Sequence, residues 1–297
     1  MSQQQPFITT SQGVYLFADG MDSPQVCLKR ERRIPFFKKG GFGFFGISAW
    51  RDQVVVASRE NFSRQQFAKH SEDVQIYRID PVGQNHRVVA RIPGVADVHQ
   101  IAVHGDLCFL TDTGHNQITV FDLNECKPIT QLEVGPERKD INHINAVTID
   151  ADTLYLGLNN RGNQDAQVLS MSLSKIDFEN PVNQVYAIAE NLTLNSLKHT
   201  HDFEKVGQDW VVSASHQGSV FRANPTEELC KPGKWVRGLA DSRQGFWIGM
   251  SELLDRKNRH REDVDGELAL WSRDFSREEK RVPLKQAGQV NDLLVVD

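Results

Sequence analysis

"VHQIAVHGDLCFLTDTGHNQITVFDL", residues 98 to 123, strings three short apolar runs together with two polar turns, Gly105–Asp106 and Gly114–Asn116. The runs are rich in β-branched and aromatic residues, and their spacing suits successive hairpin strands rather than a helix of period 3.6. The same order of run, turn and run recurs in "FFGISAWRDQVVVASRE" (44–60), "NHINAVTIDADTLYLGLNN" (142–160), "THDFEKVGQDWVVSASHQGSVFRAN" (200–224) and "VRGLADSRQGFWIGMSE" (236–252). Self-similarity of this kind marks a repeat architecture, each unit an inner strand followed by a second and often a third.

The two ends supply the missing unit. "VNDLLVVD" (290–297) reads as an inner strand with nothing after it, and "SQGVYLFADG" (11–20) as a second strand with no inner strand before it. Pairing them closes the array and removes its exposed sheet edges. The expectation is an all-β, six-bladed β-propeller closed by its N- and C-terminal strands, with residues 1–297 as one domain. Helical periodicity is weak, and only residues 61–71 and 251–261 are candidates for a helical turn or two.

Composition narrows the class. The chain has 297 residues, 39% hydrophobic and 25% charged, with a formal net charge of -5 and charges interspersed, so it can bury a core and shows no basic footprint for nucleic acid. Cys27, Cys108, Cys126 and Cys230 form no CxxC pair, which disfavours a zinc ribbon or a redox dithiol. There is no basic start followed by an apolar run, and no membrane-length apolar window. These features predict a cytoplasmic protein whose partner is a small molecule, with no nucleic acid and no membrane.

The units resemble the six-bladed propellers grouped with the SMP-30/gluconolactonase and NHL-repeat proteins, over essentially the whole chain. More narrowly, "NHIN", "KHTHD" and "RGLA…FWIGMSE" resemble an uncharacterised bacterial propeller family, which implies a fold and no chemistry. The Gly-His and Trp-Asp signature of WD40 repeats is absent. In gluconolactonase-type propellers the resemblance implies a divalent ion on carboxylate and asparagine oxygens, whereas the matching ring here is rich in histidine.

That ring comes from aligning the turns and second strands. One position near the start of each inner strand then reads Phe45, His99, His143, His201, Arg237 and Asn291, with blade 3 given a hairpin two residues longer. Inner strands line a propeller's central channel, so these side chains are expected at one mouth. Three neutral imidazoles, His99, His143 and His201, form a candidate site for a divalent transition metal such as Fe, Zn or Mn, with open positions for substrate. Arg237 and Asn291 are expected to bind a small anionic or polar substrate, with His199 and Asn159 beside them. Arg237 is also a candidate catalytic group, and Glu252 the candidate proton carrier, with Asp202 orienting His201.

The loops 112–116, 159–164, 215–218, 60–73 and 252–266 are expected to surround the mouth. His199 rivals His201 for the ring position. The expected function is a metal-dependent hydrolase, lyase or oxygenase; the alternative is a non-catalytic module binding an anionic ligand or a partner protein. "KKGGFGF" (38–44) lacks the ending of a phosphate-binding loop, and no GxSxG motif is present.

Overall fold

The computed structural model describes residues 4–18, 21, 23–30, 43–59, 72–254, 261 and 263–296. The chain opens with β1 (Gln5–Thr10), β2 (Gly13–Leu16) and β3 (Gln25–Lys29). Blade 1 follows as β4 (Gly43–Trp50), β5 (Gln53–Arg59), β6 (Glu72–Ile79) and β7 (His86–Val95). Blade 2 is β8 (Ile101–His104), β9 (Leu107–Asp112), β10 (Gln117–Asp122) and β11 (Lys127–Glu133). Blade 3 is β12 (Ile144–Asp150), β13 (Thr153–Leu158), β14 (Ala166–Ser172) and, beyond β15 (Val182–Gln184), β16 (Glu190–Leu194). Blade 4 is β17 (Thr200–Val206), β18 (Asp209–Ala214), β19 (Ser219–Arg222) and β20 (Glu227–Cys230). Blade 5 is β21 (Trp235–Ser242), β22 (Gly245–Ser251), β23 (Gly266–Trp271) and β24 (Glu278–Leu284), and β25 (Val290–Val296) ends the chain.

Within each blade the strands pair antiparallel in chain order, and β25 pairs with β1 to give the sixth sheet, β25-β1-β2-β3. The short β15 lies parallel on the outer edge of β11. The inner strands β4, β8, β12, β17, β21 and β25 touch in succession, and β25 touches β4, so the wheel is closed. Closure by the two ends agrees with the sequence, with one correction: the second strand of blade 6 is β1, and residues 13–16 form the third strand. Nothing in "SQGVYLFADG" marks that difference, because both strands are short, apolar and bounded by turns.

The apolar side chains of each sheet face its neighbours. Among the described residues six buried clusters result, one in each gap between blades: Phe109 and Leu156 belong to the one between blades 2 and 3, Phe7 and Val56 to the one between blades 6 and 1. Burial of this interior is the main favourable term holding the wheel together. Among the described residues the helical elements are three-residue 3-10 turns, including Thr113–His115, Asn160–Gly162 and Ser215–Gln217, which follow the second strands of blades 2, 3 and 4. Residues 61–71 lie outside the described residues; Ser251 ends β22, and residues 252–254 carry no regular structure.

The start of the inner strand is irregular in most blades. Register shifts fall between Phe44 and Ile47, Ile144 and Ala146, Thr200 and Phe203, Val236 and Leu239, and beside Asn291. A bulge adds a residue on one strand only, bends it and re-aims the side chain. The residues so released include Phe45, His201, Arg237 and Asn291 of the predicted ring, and in blade 3 Asn145 rather than His143.

Candidate functional site

Pairing of the first and second strands sets the ring register. Ile101 lies opposite Leu110, Val147 opposite Leu156, and Phe203 opposite Val212. Counting back, His99, Asn145 and His201 are equivalent. The Gly-Asp and Ala-Asp turns of blades 2 and 3 therefore have equal length, and the two-residue insertion expected in blade 3 is absent. The ring reads Phe45, His99, Asn145, His201, Arg237 and Asn291. His143 stands two residues before it, at the level of Asp97 and His199, and these three all have left-handed backbones, with φ of 49°, 59° and 55°. Non-glycine residues are held there only when surrounding contacts over-determine the conformation.

The three predicted imidazoles still gather. The His99 ring centre is 5.2 Å from that of His143 and 6.4 Å from that of His201. Their hydrogen bonds fix their protons. His201 Nδ1 lies 2.6 Å from Ser215 Oγ and 3.2 Å from the His199 carbonyl, and the Ser215 hydroxyl donates to the Val236 carbonyl. The His201 proton therefore sits on Nδ1, and Nε2 carries the lone pair. His143 Nδ1 lies 3.1 Å from both oxygens of Asp140, whose carboxylate is also paired with Arg161, so its Nε2 is likewise an acceptor. Burial would raise the Asp140 carboxyl, but His143 and Arg161 hold it below the usual range.

His99 is the opposite tautomer. Arg237 Nη2 donates to its Nδ1 at 2.9 Å, so the proton is on Nε2, which faces Asp97 Oδ2 at 3.5 Å and is buried without a hydrogen-bond partner among the described residues. Burial pushes the His99 imidazole down to about 3; Asp97 opposes this, and Arg59 and Arg237 reinforce it. Burial likewise keeps His201 well below its ordinary value, with Arg237 adding to the effect. Asp97 would be raised by burial, yet Arg59, 2.7 Å away, and His99 keep it ionised. Arg59 also bonds the Val98 carbonyl and stacks 3.8 Å above the Phe45 ring.

This arrangement tests the metal expectation. A metal needs a lone pair from each imidazole, but the one on His99 is taken by a permanent cation, and a dication beside the Arg237 guanidinium would meet repulsion. Among the described residues, no group of three or more His, Cys, Asp or Glu side chains is placed to hold a metal ion. The set His99, His143 and His201 as arranged does not fit one.

The polar side chains around the ring tie neighbouring blades together. Asn291 Nδ2 donates to the Phe44 carbonyl at 2.8 Å while its Oδ1 accepts from Arg237 at 3.2 Å. Asn159 Nδ2 and Asn145 Nδ2 both donate to the Thr200 carbonyl, and Thr113 Oγ1 to that of Ile144. Asn291 and Asn159, expected to contact substrate, are thus buried and committed to inter-blade bonds, although Oδ1 of Asn145 and of Asn159 has no hydrogen-bond partner among the described residues. Arg237 likewise spends Nη1 and Nη2 on Asn291 and His99. With Arg59 and Arg237 set against Asp97 and Asp202, the mouth is not the strongly cationic funnel expected for an anion.

One residue further in, even-numbered blades carry Gln100, Asp202 and Asp292, and odd-numbered blades Gly46, Ala146 and Gly238. Gln100 Nε2 donates to Asp202 Oδ1 at 3.0 Å and to Asp292 Oδ1 at 3.1 Å. Each of the three also accepts from the backbone of the next blade: Gln100 from Val147, Asp202 from Gly238 and Asp292 from Ile47. This knot joins blades 2, 4 and 6 beneath the ring. A Cβ at Gly46 would stand 2.4 Å from Ile101 N, and one at Gly238, where φ is +81°, 2.8 Å from Leu293 Cγ. Burial lifts Asp202 to about 6, partly offset by the Gly238 N–H and Arg237; burial and the Asp202 charge lift Asp292 well above its ordinary value. Asp202 therefore serves the knot rather than orienting His201.

The remaining candidates lie to one side. His199 faces His216, ring centres 4.1 Å apart, and His216 faces Trp235 at 4.6 Å. Burial, Lys198 and His143 lower the His199 value. Glu252 is exposed on the wall of a cleft that it shares with His216, Trp235 and Ser215, the last being the partner of His201 Nδ1. Sequence reasoning missed Asp140, Asp97, Asn145 and the Gln100–Asp202–Asp292 knot; equal hairpin lengths in blades 2 and 3 were the signal for Asn145.

No family model matches the chain, and no curated protein sequence is detectably similar to it. Solved structures do match. A chain of the nidogen/laminin complex superposes with a TM-score of 0.63 at 11% identity, over 99% of this chain and 98% of that one. A protein of unknown function from Bacteroides caccae gives 0.60 at 11%, over 99% of both. The periplasmic gluconolactonase PpgL of Pseudomonas aeruginosa gives 0.61 at 12%, over 100% and 99%. At these identities the likeness establishes the class of the molecule, an all-β six-bladed propeller sharing its fold with a gluconolactonase and with a laminin–nidogen component.

Proposed function

We propose that the chain is a small-molecule enzyme working by general acid–base chemistry at this mouth, with His143 as the proton-transferring group. The observation carrying this reading is the His143–Asp140 pair: Nδ1 is bracketed by a carboxylate that is itself pinned by Arg161, which fixes the tautomer and leaves Nε2 as a positioned base. The substrate is a polar molecule rich in hydroxyls. His143 Nε2 and His201 Nε2 carry lone pairs, and hydroxyl groups would donate to them. His143 would take a proton from water as its oxygen attacks an acyl carbon, or from the carbon α to a carbonyl as the bond to a β-oxygen breaks, and would return that proton to the departing oxygen, giving hydrolysis or elimination.

The gluconolactonase on the same fold makes lactones and esters the first panel to assay. Conversion of His143 to Gln, or of Asp140 to Asn, is expected to lower kcat by about 10²- to 10⁴-fold with the fold intact. A His143→Gln protein with wild-type rates, or no turnover across a panel of lactones, esters and carbon acids, overturns the proposal. The competing reading, a divalent Fe, Zn or Mn ion on His99, His143 and His201, is favoured by the gathering of the three rings but requires Arg237 to leave His99. Stoichiometric metal in tag-free protein, lost in His99→Ala and His143→Ala, would establish it in place of the metal-free reading.

A further inference from the structure

Beside the mouth lies a cleft of about 330 Å³ bounded by Ser215–Gly218, Gly233–Trp235 and Glu252–Leu253. The size is at the small end of ligand sites, which run from roughly 300 to 1,000 Å³. Its charge is set by two residues. Lys234 Nζ is 2.6 Å from Glu267 Oε1 and is neutralised there, whereas Glu252 is exposed and has no ion pair or hydrogen bond among the described residues. Among the described lining residues Glu252 is thus the charge left without a counter-ion. Its other surface is aromatic and apolar: the exposed His216 ring, backed at 4.6 Å by Trp235, and the exposed Leu253 side chain.

We propose that this cleft is a binding site for a protonated alkylamine, its ammonium held by the Glu252 carboxylate and its carbon chain laid against His216 and Leu253. A carboxylate beside an apolar wall suits an alkylammonium twice over, through the ion pair and through burial of its carbon chain. An anion would meet the unpaired Glu252 charge, and a neutral chain would leave that carboxylate without a partner. The inference does not depend on the reaction proposed for His143.

The test follows the Trp235 indole N–H resonance, assigned through Trp235→Phe, during titration with n-butylammonium, n-butanol or butyrate. n-Butylammonium is expected to give a saturable shift that the other two do not. Glu252→Gln, at an exposed position that leaves the fold intact, is expected to raise the apparent Kd at least tenfold, and Glu252→Asp to raise it less. His143→Gln should leave the amine response unchanged, which separates this site from the proposed reaction centre. An equal response to n-butanol, an unchanged Kd in Glu252→Gln, or no saturable shift overturns the inference.

Discussion

At the scale of single residues the mouth is governed by where protons sit. His99 is buried, accepts from one guanidinium and lies near a second, so it is expected to stay neutral on acidification until about pH 3. Nitrogen-15 spectra should show one imidazole locked as the Nε2–H tautomer from pH 8 to pH 4; a His99 that titrates near 6.5 would contradict the Arg237 contact. The Asp202–Asp292 pair sets a second pH dependence. A carboxyl with a folded pKa above its unfolded value binds its proton more tightly when folded, so stability falls as pH rises between the two values. For Asp202 that window runs from its ordinary value of 3.8 to about 6, and Asp292 extends it upward. Denaturant unfolding should show stability declining across this range, with a flatter slope in Asp292→Asn whatever that variant's absolute stability. His143 lies beside His99 as the sequence led one to expect, but two residues before the ring position: "HQIAV" matches "HINAV" as text, whereas the equal turns Gly105–Asp106 and Ala151–Asp152 put Asn145 level with His99.

At the scale of elements, the inner strand does two jobs with one sequence. Its outer half is regular and buries its faces against neighbouring blades, while its first residues bulge and present polar side chains to the axis. The bulges bring adjacent inner strands so close that blade 1 needs Gly46, whose Cβ would enter the backbone of Gln100 and Ile101. Gly46→Ala is expected to cost about 3 kcal/mol through this backbone overlap and to lower Tm by roughly 5 °C, measured by calorimetry. A Tm within a degree of wild type would show that the strands separate freely. The hairpin rhythm of these elements was readable from alternating apolar runs; the bulges were not, since they follow from contacts between blades rather than from local preference.

At the scale of the whole molecule, stability depends on closing the wheel. β25 supplies the inner strand of blade 6, pairs along β1 and contributes Asn291 and Asp292 to the mouth and the knot. Deleting residues 290–297 would expose the edge of β1, open the gaps beside blades 5 and 1, and remove one corner of the knot. The truncated chain is expected to lose cooperative unfolding, followed by circular dichroism against temperature, and a peptide of residues 286–297 should restore it in trans. A cooperative transition in the truncated chain without the peptide would show that five blades suffice.

The sequence by itself determined that the chain is all-β, that its units repeat, and that its two ends complete one blade. Those are properties of periodicity and turn chemistry, which act over a few residues and are written locally. Tertiary structure alone decided which atoms are free to act. Arg237 reaches His99 across 138 positions of sequence, and Gln100 bridges carboxyls 102 and 192 residues away. Such bonds exist only once six sheets have brought distant strand ends within about 3 Å of one another, the range over which hydrogen bonding fixes a proton.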